Sequence, residues 1–264
     1  MDLELKEKRA FISGSTSGIG FAIAKQLASE GATVILNGRS ERSTNQACDR
    51  LVAEVPEAQV EGVPADFSDG DATARLMSQL GVIDILVNNV GIFTSQSFAD
   101  TTDDDWYRLM EVNVMSGIRL SRLILPGMMQ RNWGRVVFIS SECAALVPED
   151  LIAYSTTKAA VQAISRGLAQ SAKGTGVTVN TVMPGSTLSE GAERFLEEAA
   201  TEQGITMDEV AANFFKDVRT SSIIQRFASV DEVAKVVTFL CSPIASATTG
   251  AVIKVDGGSV PGIQ

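Results

Sequence analysis

The 264-residue chain reads as an α/β protein, a doubly wound parallel sheet of about seven strands with helices on both faces. Three observations lead there. Short β-branched runs recur along the whole chain; most are continuously apolar, as strands covered on both faces require; and helical spacing fills the intervals, so that strand and helix alternate. The expected strands are 9–13, 32–36, 59–63, 83–87, 135–140, 177–182 and 251–255. A helix over 19–30 ends at Gly31, a plausible C′ residue, and a second helical stretch covers 106–131. Asp103, Asp104 and Asp105 in front of the latter read as N-terminal capping charge rather than as a metal site. Residues 186–230 break the rhythm, with no strand-like run, and predict a helical lid directly after the strand at 177–182. Its Phe195, Phe214 and Phe215 either line an apolar substrate pocket or pack the lid helices together. With no repeat, low-complexity tract or linker, one domain is expected to span 1–264.

Composition narrows the chemistry. The chain is 45% hydrophobic and 20% charged, and at this length a core forms without metal or disulfide staples. A net charge of −10 with no basic patch argues against nucleic acid and anionic lipid as partners. The charged start MDLELKEKRAFIS and the lack of a long apolar run predict a cytoplasmic protein. There is no histidine, so acid/base chemistry falls to Tyr, Lys, Asp, Glu or Cys, and no metal site is expected. Cys48, Cys143 and Cys241 lack CxxC spacing and read as buried, reduced thiols.

Two local patterns carry chemistry. Gly14-Ser15-Thr16-Ser17-Gly18-Ile19-Gly20 follows the first strand and opens a helix. Glycines there let the backbone turn sharply and approach a pyrophosphate, whose charge the helix N-terminus favours, which makes the fold Rossmann-type. Tyr154 and Lys158 stand four apart in the helical stretch 145–170 and share a face. Bringing a phenol from its ordinary pKa to neutrality takes about 4 kcal/mol. An ammonium about 5 Å away supplies roughly 3 kcal/mol at an effective dielectric of about 20. A further positive charge and a hydrogen bond are left to provide the rest. Ser141, at the end of the strand 135–140, and its neighbour Ser140 are the candidates for that hydrogen-bond donor, and since neighbouring strand residues face opposite ways only one can serve. The 13-residue spacing to Tyr154, which resembles that of a known family's serine, favours Ser141.

The GxxxGxG turn, Asn88-Asn89-Val90-Gly91, Asn113, Ser141, Tyr154-x-x-x-Lys158, Pro184-Gly185 and the VDGG at 255–258 together resemble the short-chain dehydrogenase/reductase family nearly end to end. The resemblance implies that Ser141 holds the substrate oxygen, Tyr154 gives or takes its proton, Lys158 tunes Tyr154 and binds the nicotinamide ribose, and Asn113 anchors a water of the proton relay. A surface polar residue is the other reading of Asn113. It further implies cofactor contacts along the turn from Gly14 to Gly20, at Asn88 on the adenosine side, and at Thr187 on the carboxamide; Asn89 would brace the central strand. Asp66 with Phe67 is placed like the family's adenine contact, with a helix N-cap region as the alternative. Val90 departs from the usual Asn-Asn-Ala-Gly and puts local packing in question. Gly38 stands where NAD-preferring members carry an acid, and Arg39 next to it offers a planar fork to a 2′-phosphate, so NADP is expected rather than NAD. Ser17, where many NADP-preferring members are basic, argues the other way. Gly38→Asp with Arg39→Ala is expected to move the preference toward NAD.

The expected function is hydride transfer between NADP(H) and a carbonyl or secondary alcohol. A reductase of 3-oxoacyl groups on a carrier protein is the alternative within the family, and a dinucleotide-sensing regulator without turnover the alternative outside it. The acidic surface favours a free small molecule over an acidic carrier. The apolar sides of the helix around Lys158 (Ala159, Ala160, Ala163, Ile164, Leu168) and the family likeness imply a homotetramer.

Overall fold

The computed structural model describes residues 2–69 and 71–262. In chain order the elements are β1 (Arg9–Ile12), α1 (Gly18–Ser29), β2 (Thr33–Leu36), α2 (Glu41–Glu54), β3 (Gln59–Gly62), α3 (Ala72–Leu80), β4 (Ile85–Asn88), α4 (Asp103–Met110), α5 (Ser116–Gln130), β5 (Gly134–Ile139), α6 (Cys143–Leu146) and α7 (Ile152–Ser171). They continue with β6 (Val177–Pro184), β7 (Thr187–Leu188), α8 (Glu190–Gln203), α9 (Met207–Asn213), β8 (Ala228–Ser229), α10 (Val230–Cys241) and β9 (Val252–Val255). Seven strands form one parallel sheet in the order β3-β2-β1-β4-β5-β6-β9, as the alternation of runs predicts.

The pleat sorts each central strand between two cores. Ala10 and Ile12, Val34 and Leu36, Ile85 and Val87, and Val137 and Ile139 join one cluster with α1 and α10. Their neighbours Phe11, Ile35, Leu86, Val136 and Phe138 join the other, with α5 and α7. Both faces are therefore covered, which explains why the runs are apolar without alternation. Strand order reverses between β1 and β4, and a doubly wound sheet opens its ligand crevice beyond the carboxyl ends of the strands at that point.

Three local expectations change. The lid is not purely helical, because β7 and β8 pair as a separate two-stranded parallel ladder that closes it at its base. The helix carrying Tyr154 does not run back through Leu146; Val147 has φ 45° and α7 starts at Ile152. The stretch 106–131 is interrupted by a π-helical turn, Glu111–Met115, between α4 and α5. Thr102 and Asp105 form a capping box in front of α4, so the triple aspartate serves that helix. Cys143 and Cys241 are buried and Cys48 half-buried, all three as free thiols. Among the described residues no helix is long and apolar enough to cross a membrane.

Candidate active site

The Gly-rich turn is built for close approach. Gly14 (φ 63°) and Gly18 (φ 57°) take the left-handed region that disfavours side chains. A Cβ on Gly14 would lie 2.8 Å from Val90 Cγ2, and one on Gly20 2.5 Å from the Gly14 carbonyl oxygen. The turn is clamped from both neighbouring strands. Asn37 Oδ1 accepts from the Gly14 N–H (3.0 Å), while Asn89 Nδ2 donates to the carbonyls of Ser13 (3.0 Å) and Gly14 (2.9 Å). Buried Ser15 is tied to Ile12 and Asn37, exposed Ser17 is the N-cap residue of α1, and Ile19 packs on the first core. Asn88 faces away: it is buried on β4 and donates from Nδ2 to Ser121 Oγ on α5 (3.2 Å), so Asn89 is the residue against the turn. The Ser17 side chain makes no capping bond, and the Gly18 N–H donates instead to Glu190 Oε2 at 2.6 Å. The helix end thus already holds an anionic oxygen, as a pyrophosphate site should be able to do.

Beyond the ends of β2 and β3 lies a cavity of about 290 Å³ lined by Arg39, Ser40, Asp66, Ala72, Arg75 and Leu76. Asp66 accepts from the backbone N–H (3.0 Å) and hydroxyl (2.8 Å) of Ser68, which hold its carboxyl below the ordinary range. Helix α3 starts beyond Asp71, so Asp66 is wall rather than cap. Phe67 buries its side chain in the second core, which leaves its backbone for a ligand. Arg75, ion-paired with Asp69, is a second cation on this cavity that the sequence reading passed over. Gly38 has no room for the substitution the sequence suggests: a Cβ would meet Thr16 Cγ2 at 2.5 Å and Thr44 Oγ1 at 2.8 Å. Gly38→Asp is therefore no clean test of cofactor choice, and Arg39 alone must carry it.

The remaining candidates converge from three elements. Ser140 is spent on structure, donating to the Lys158 carbonyl (2.8 Å) and accepting from Gln162 Nε2 (3.0 Å), which anchors α7 to β5. Ser141 is half-buried; its Oγ accepts from the Cys143 N–H (3.2 Å), and its hydroxyl is close enough to the Tyr154 phenol to pull that group's pKa down. Tyr154 sits in the first turn of α7. Lys158, one turn on, is buried; its Nζ donates to the Ile139 carbonyl (3.0 Å) and lies 5.6 Å from the Tyr154 ring centroid. Asn113 is buried in the π-helical turn, a rare geometry often found at functional sites. Its Nδ2 donates to the Ile92 carbonyl (2.9 Å) and Thr157 Oγ1 (3.0 Å), and its Oδ1 accepts from the Ile92 N–H (2.8 Å). It is thus no surface residue, and it splints the loop after β4 to α7. Gly91 in that loop is needed small, since a Cβ there would stand 3.1 Å from Lys158 Nζ. Phe93, 71% exposed, places its ring centroid 6.0 Å from that of Tyr154 and gives that ring an apolar neighbour.

Burial dominates the electrostatics of both groups. Burial pushes the Tyr154 phenol up to about 12, against the opposing hydrogen bond of Ser141. Burial likewise pulls the Lys158 ammonium down to about 8. Removing either charged form from water is costly, so burial favours the neutral phenol and the neutral amine alike. At neutral pH the pair is a phenol beside a mostly protonated lysine.

The lid attaches through charged contacts. Buried Glu142 accepts at Oε1 from Arg219 Nε (2.8 Å) and Ser186 Oγ (3.0 Å), tying the segment after β5 to both ends of the lid. Thr187 is half-buried in β7 and donates to the Gly185 carbonyl (2.9 Å). Phe214 and Phe215 pack with Phe227 at centroid distances of 5.0–5.2 Å, so they form lid core, whereas Phe195 is exposed. The lid contacts involving Glu142, Glu190 and Arg219 had no local signal, since they join residues far apart in the chain.

Comparison with known proteins agrees with this geometry. A family model described as enoyl-(acyl carrier protein) reductase matches residues 14–259. The Bacillus subtilis protein described as uncharacterized oxidoreductase YvaG is 47% identical over 260 residues, covering 98% of both chains. A solved short chain dehydrogenase/reductase family protein is 32% identical with a TM-score of 0.84, over 97% of this chain and 99% of its own. L-Sorbose reductase from Gluconobacter frateurii, solved in complex with NADPH and L-sorbose, is 31% identical with a TM-score of 0.92 over 100% of both chains. The chain is an oxidoreductase that belongs to the short-chain dehydrogenase/reductase family.

Proposed function

We propose that the protein reduces the carbonyl of a free small molecule, or oxidises the matching secondary alcohol, with NADP(H) as the hydride carrier. The observation that carries this reading is the meeting of Ser141, the Tyr154 phenol and buried Lys158 beyond the carboxyl ends of the strands. The nicotinamide, when bound, supplies or receives the hydride. Ser141 holds the substrate oxygen, and Tyr154 gives that oxygen its proton as negative charge develops there. Lys158 keeps positive charge beside the phenol and is the candidate for binding the nicotinamide ribose. Asn113 keeps the loop 91–92 and α7 in register, and is the candidate anchor for a water that returns the proton. A phenol pushed up to about 12 holds its proton at pH 7, the form that reduction of a carbonyl needs.

The cavity at Arg39 suits an adenosine 2′-phosphate, because a guanidinium forks onto phosphate oxygens and Gly38 sets no carboxylate against them. Arg39→Ala is expected to weaken NADPH binding about tenfold and leave NADH binding within about twofold. Titrating nicotinamide fluorescence with both nucleotides checks this, and equal losses for both would reject NADP preference. L-Sorbose reductase makes ketoses a reasonable first panel of substrates, and the charge of −10 disfavours docking of an acidic acyl carrier. Ala159, Ala163 and Gly167 leave an exposed face of small residues on α7, consistent with packing between subunits of a homotetramer.

A further inference from the structure

The lid reaches the Gly-rich turn through the Glu190 side chain. Glu190, the first residue of α8, accepts at Oε2 from the Gly18 N–H at 2.6 Å, and its Oε1 lies 3.5 Å from Arg50 Nη1. Arg50 belongs to α2 and is fixed independently: Nη2 donates to the Thr16 carbonyl (3.3 Å) and the guanidinium lies 3.5 Å from the Phe21 ring centroid. The carboxylate therefore bridges the two donors that a phosphate entering this turn would use, the N–H at the start of α1 and a guanidinium held over the turn. Gly18 leaves space above the turn, and the lid fills it: Ser189 Cβ and Glu190 Oε2 lie 3.5 Å and 3.6 Å from where a Gly18 Cβ would be. A carboxylate and a phosphate cannot share the same N–H, and side by side they repel.

We propose that Glu190 is an internal competitor for the dinucleotide pyrophosphate, latching the lid onto the Gly-rich turn until the cofactor displaces it. The proposal rests on the dinucleotide reading above. It makes Glu190 a determinant of cofactor affinity: part of the binding energy is spent on releasing the latch, and the release passes directly into α8 and so to the lid. Glu190 is half-exposed, so the displaced carboxylate moves into water without being stranded. Glu193, one turn along α8 and exposed, carries the same charge without touching the turn and serves as the control.

The test is a titration of NADPH fluorescence on four proteins, the wild type, Glu190→Ala, Glu190→Gln and Glu193→Ala, with each variant's fold checked by thermal melting. Glu190→Ala is expected to bind NADPH about tenfold more tightly, the size of a charge-assisted hydrogen bond that no longer competes. Glu190→Gln, whose amide oxygen still accepts but without charge, is expected to fall between, and Glu193→Ala to stay within about twofold of wild type. Unchanged or weaker binding by Glu190→Ala overturns the latch, and so does equal tightening by Glu193→Ala, which would reduce the effect to general charge. Binding by wild type with no response to Glu190→Ala rejects the latch alone. No binding of NADPH or NADH by any of the four rejects the dinucleotide reading, and the latch with it.

Discussion

Tyr154→Phe is expected to lower turnover of a carbonyl substrate about 10³-fold while NADPH binding stays within about twofold. Phe keeps the ring, and with it the contact to Phe93 and the position in the first turn of α7, and removes only the hydroxyl. The nearest other acid, the Lys158 ammonium, donates to the Ile139 carbonyl instead. The chain has no histidine, its other tyrosine, Tyr107, is 71% exposed on α4, and Ser141 is too weak an acid to serve alone. The loss should therefore appear in kcat rather than KM, since the missing interaction is one that strengthens as charge develops on the substrate oxygen. Steady-state kinetics on a reducible ketone, paired with the fluorescence titration, separates the two effects. Retained turnover would show that protonation comes from another group, and lost NADPH binding would show that the variant had disturbed the cleft.

What the sequence could reveal follows from the range of each interaction. The central strands were legible because each is covered on both faces and reads as an unbroken apolar run. The two-residue strands β7 and β8 carry no pattern long enough to have a period, and so the lid looked wholly helical. The start of α7 was hidden because Val147 takes φ 45° inside a stretch whose composition suits a helix. At the site, the Gly-rich turn and the Tyr154–Lys158 pair were readable because one turn of backbone fixes each. Asn88 and Asn89 are a harder case: both types suit a cofactor site, and only the direction each side chain takes from β4 assigns Asn89 to the turn. Glu190 and Gly18 are 172 residues apart, and Glu142 and Arg219 are 77 apart, so no local spacing announces either contact. The sign of the Tyr154 shift was out of reach for a related reason. Coulomb attraction follows from a spacing along a helix, but desolvation depends on what the whole fold packs around the hydroxyl.

Lys158→Met is expected to move activity and stability in opposite directions. Lys158 is buried with its ammonium pulled down to about 8 from an ordinary 10.5, so the folded chain binds this proton less tightly than the unfolded chain does. Below pH 8 both states hold the proton and the folded state carries the whole penalty, about 3 kcal/mol. Between pH 8 and 10.5 the unfolded chain holds more protons, so stability rises with pH until the penalty is gone. Methionine matches the length and leaves no charge to bury, while the lost bond to the Ile139 carbonyl gives back about 1 kcal/mol. At pH 7 the variant should thus be more stable than wild type by about 2 kcal/mol, a gain that fades as the pH passes 8 toward 10. Denaturant midpoints across that range measure it; a destabilised variant would mean that the lysine is held by favourable contacts rather than tolerated. Turnover should fall at least about 10²-fold, because no positive charge then stands beside the phenol and the proposed ribose contact is lost. In the wild type, carbonyl reduction should decline as pH rises through about 8, where Lys158 gives up its charge, and not first near 12, where Tyr154 would ionise. Loss of that decline in Lys158→Met, measured on its residual activity, would assign the titration to the lysine. A residue that weakens the fold it sits in, and without which the reaction slows, is placed there by the chemistry and not by packing.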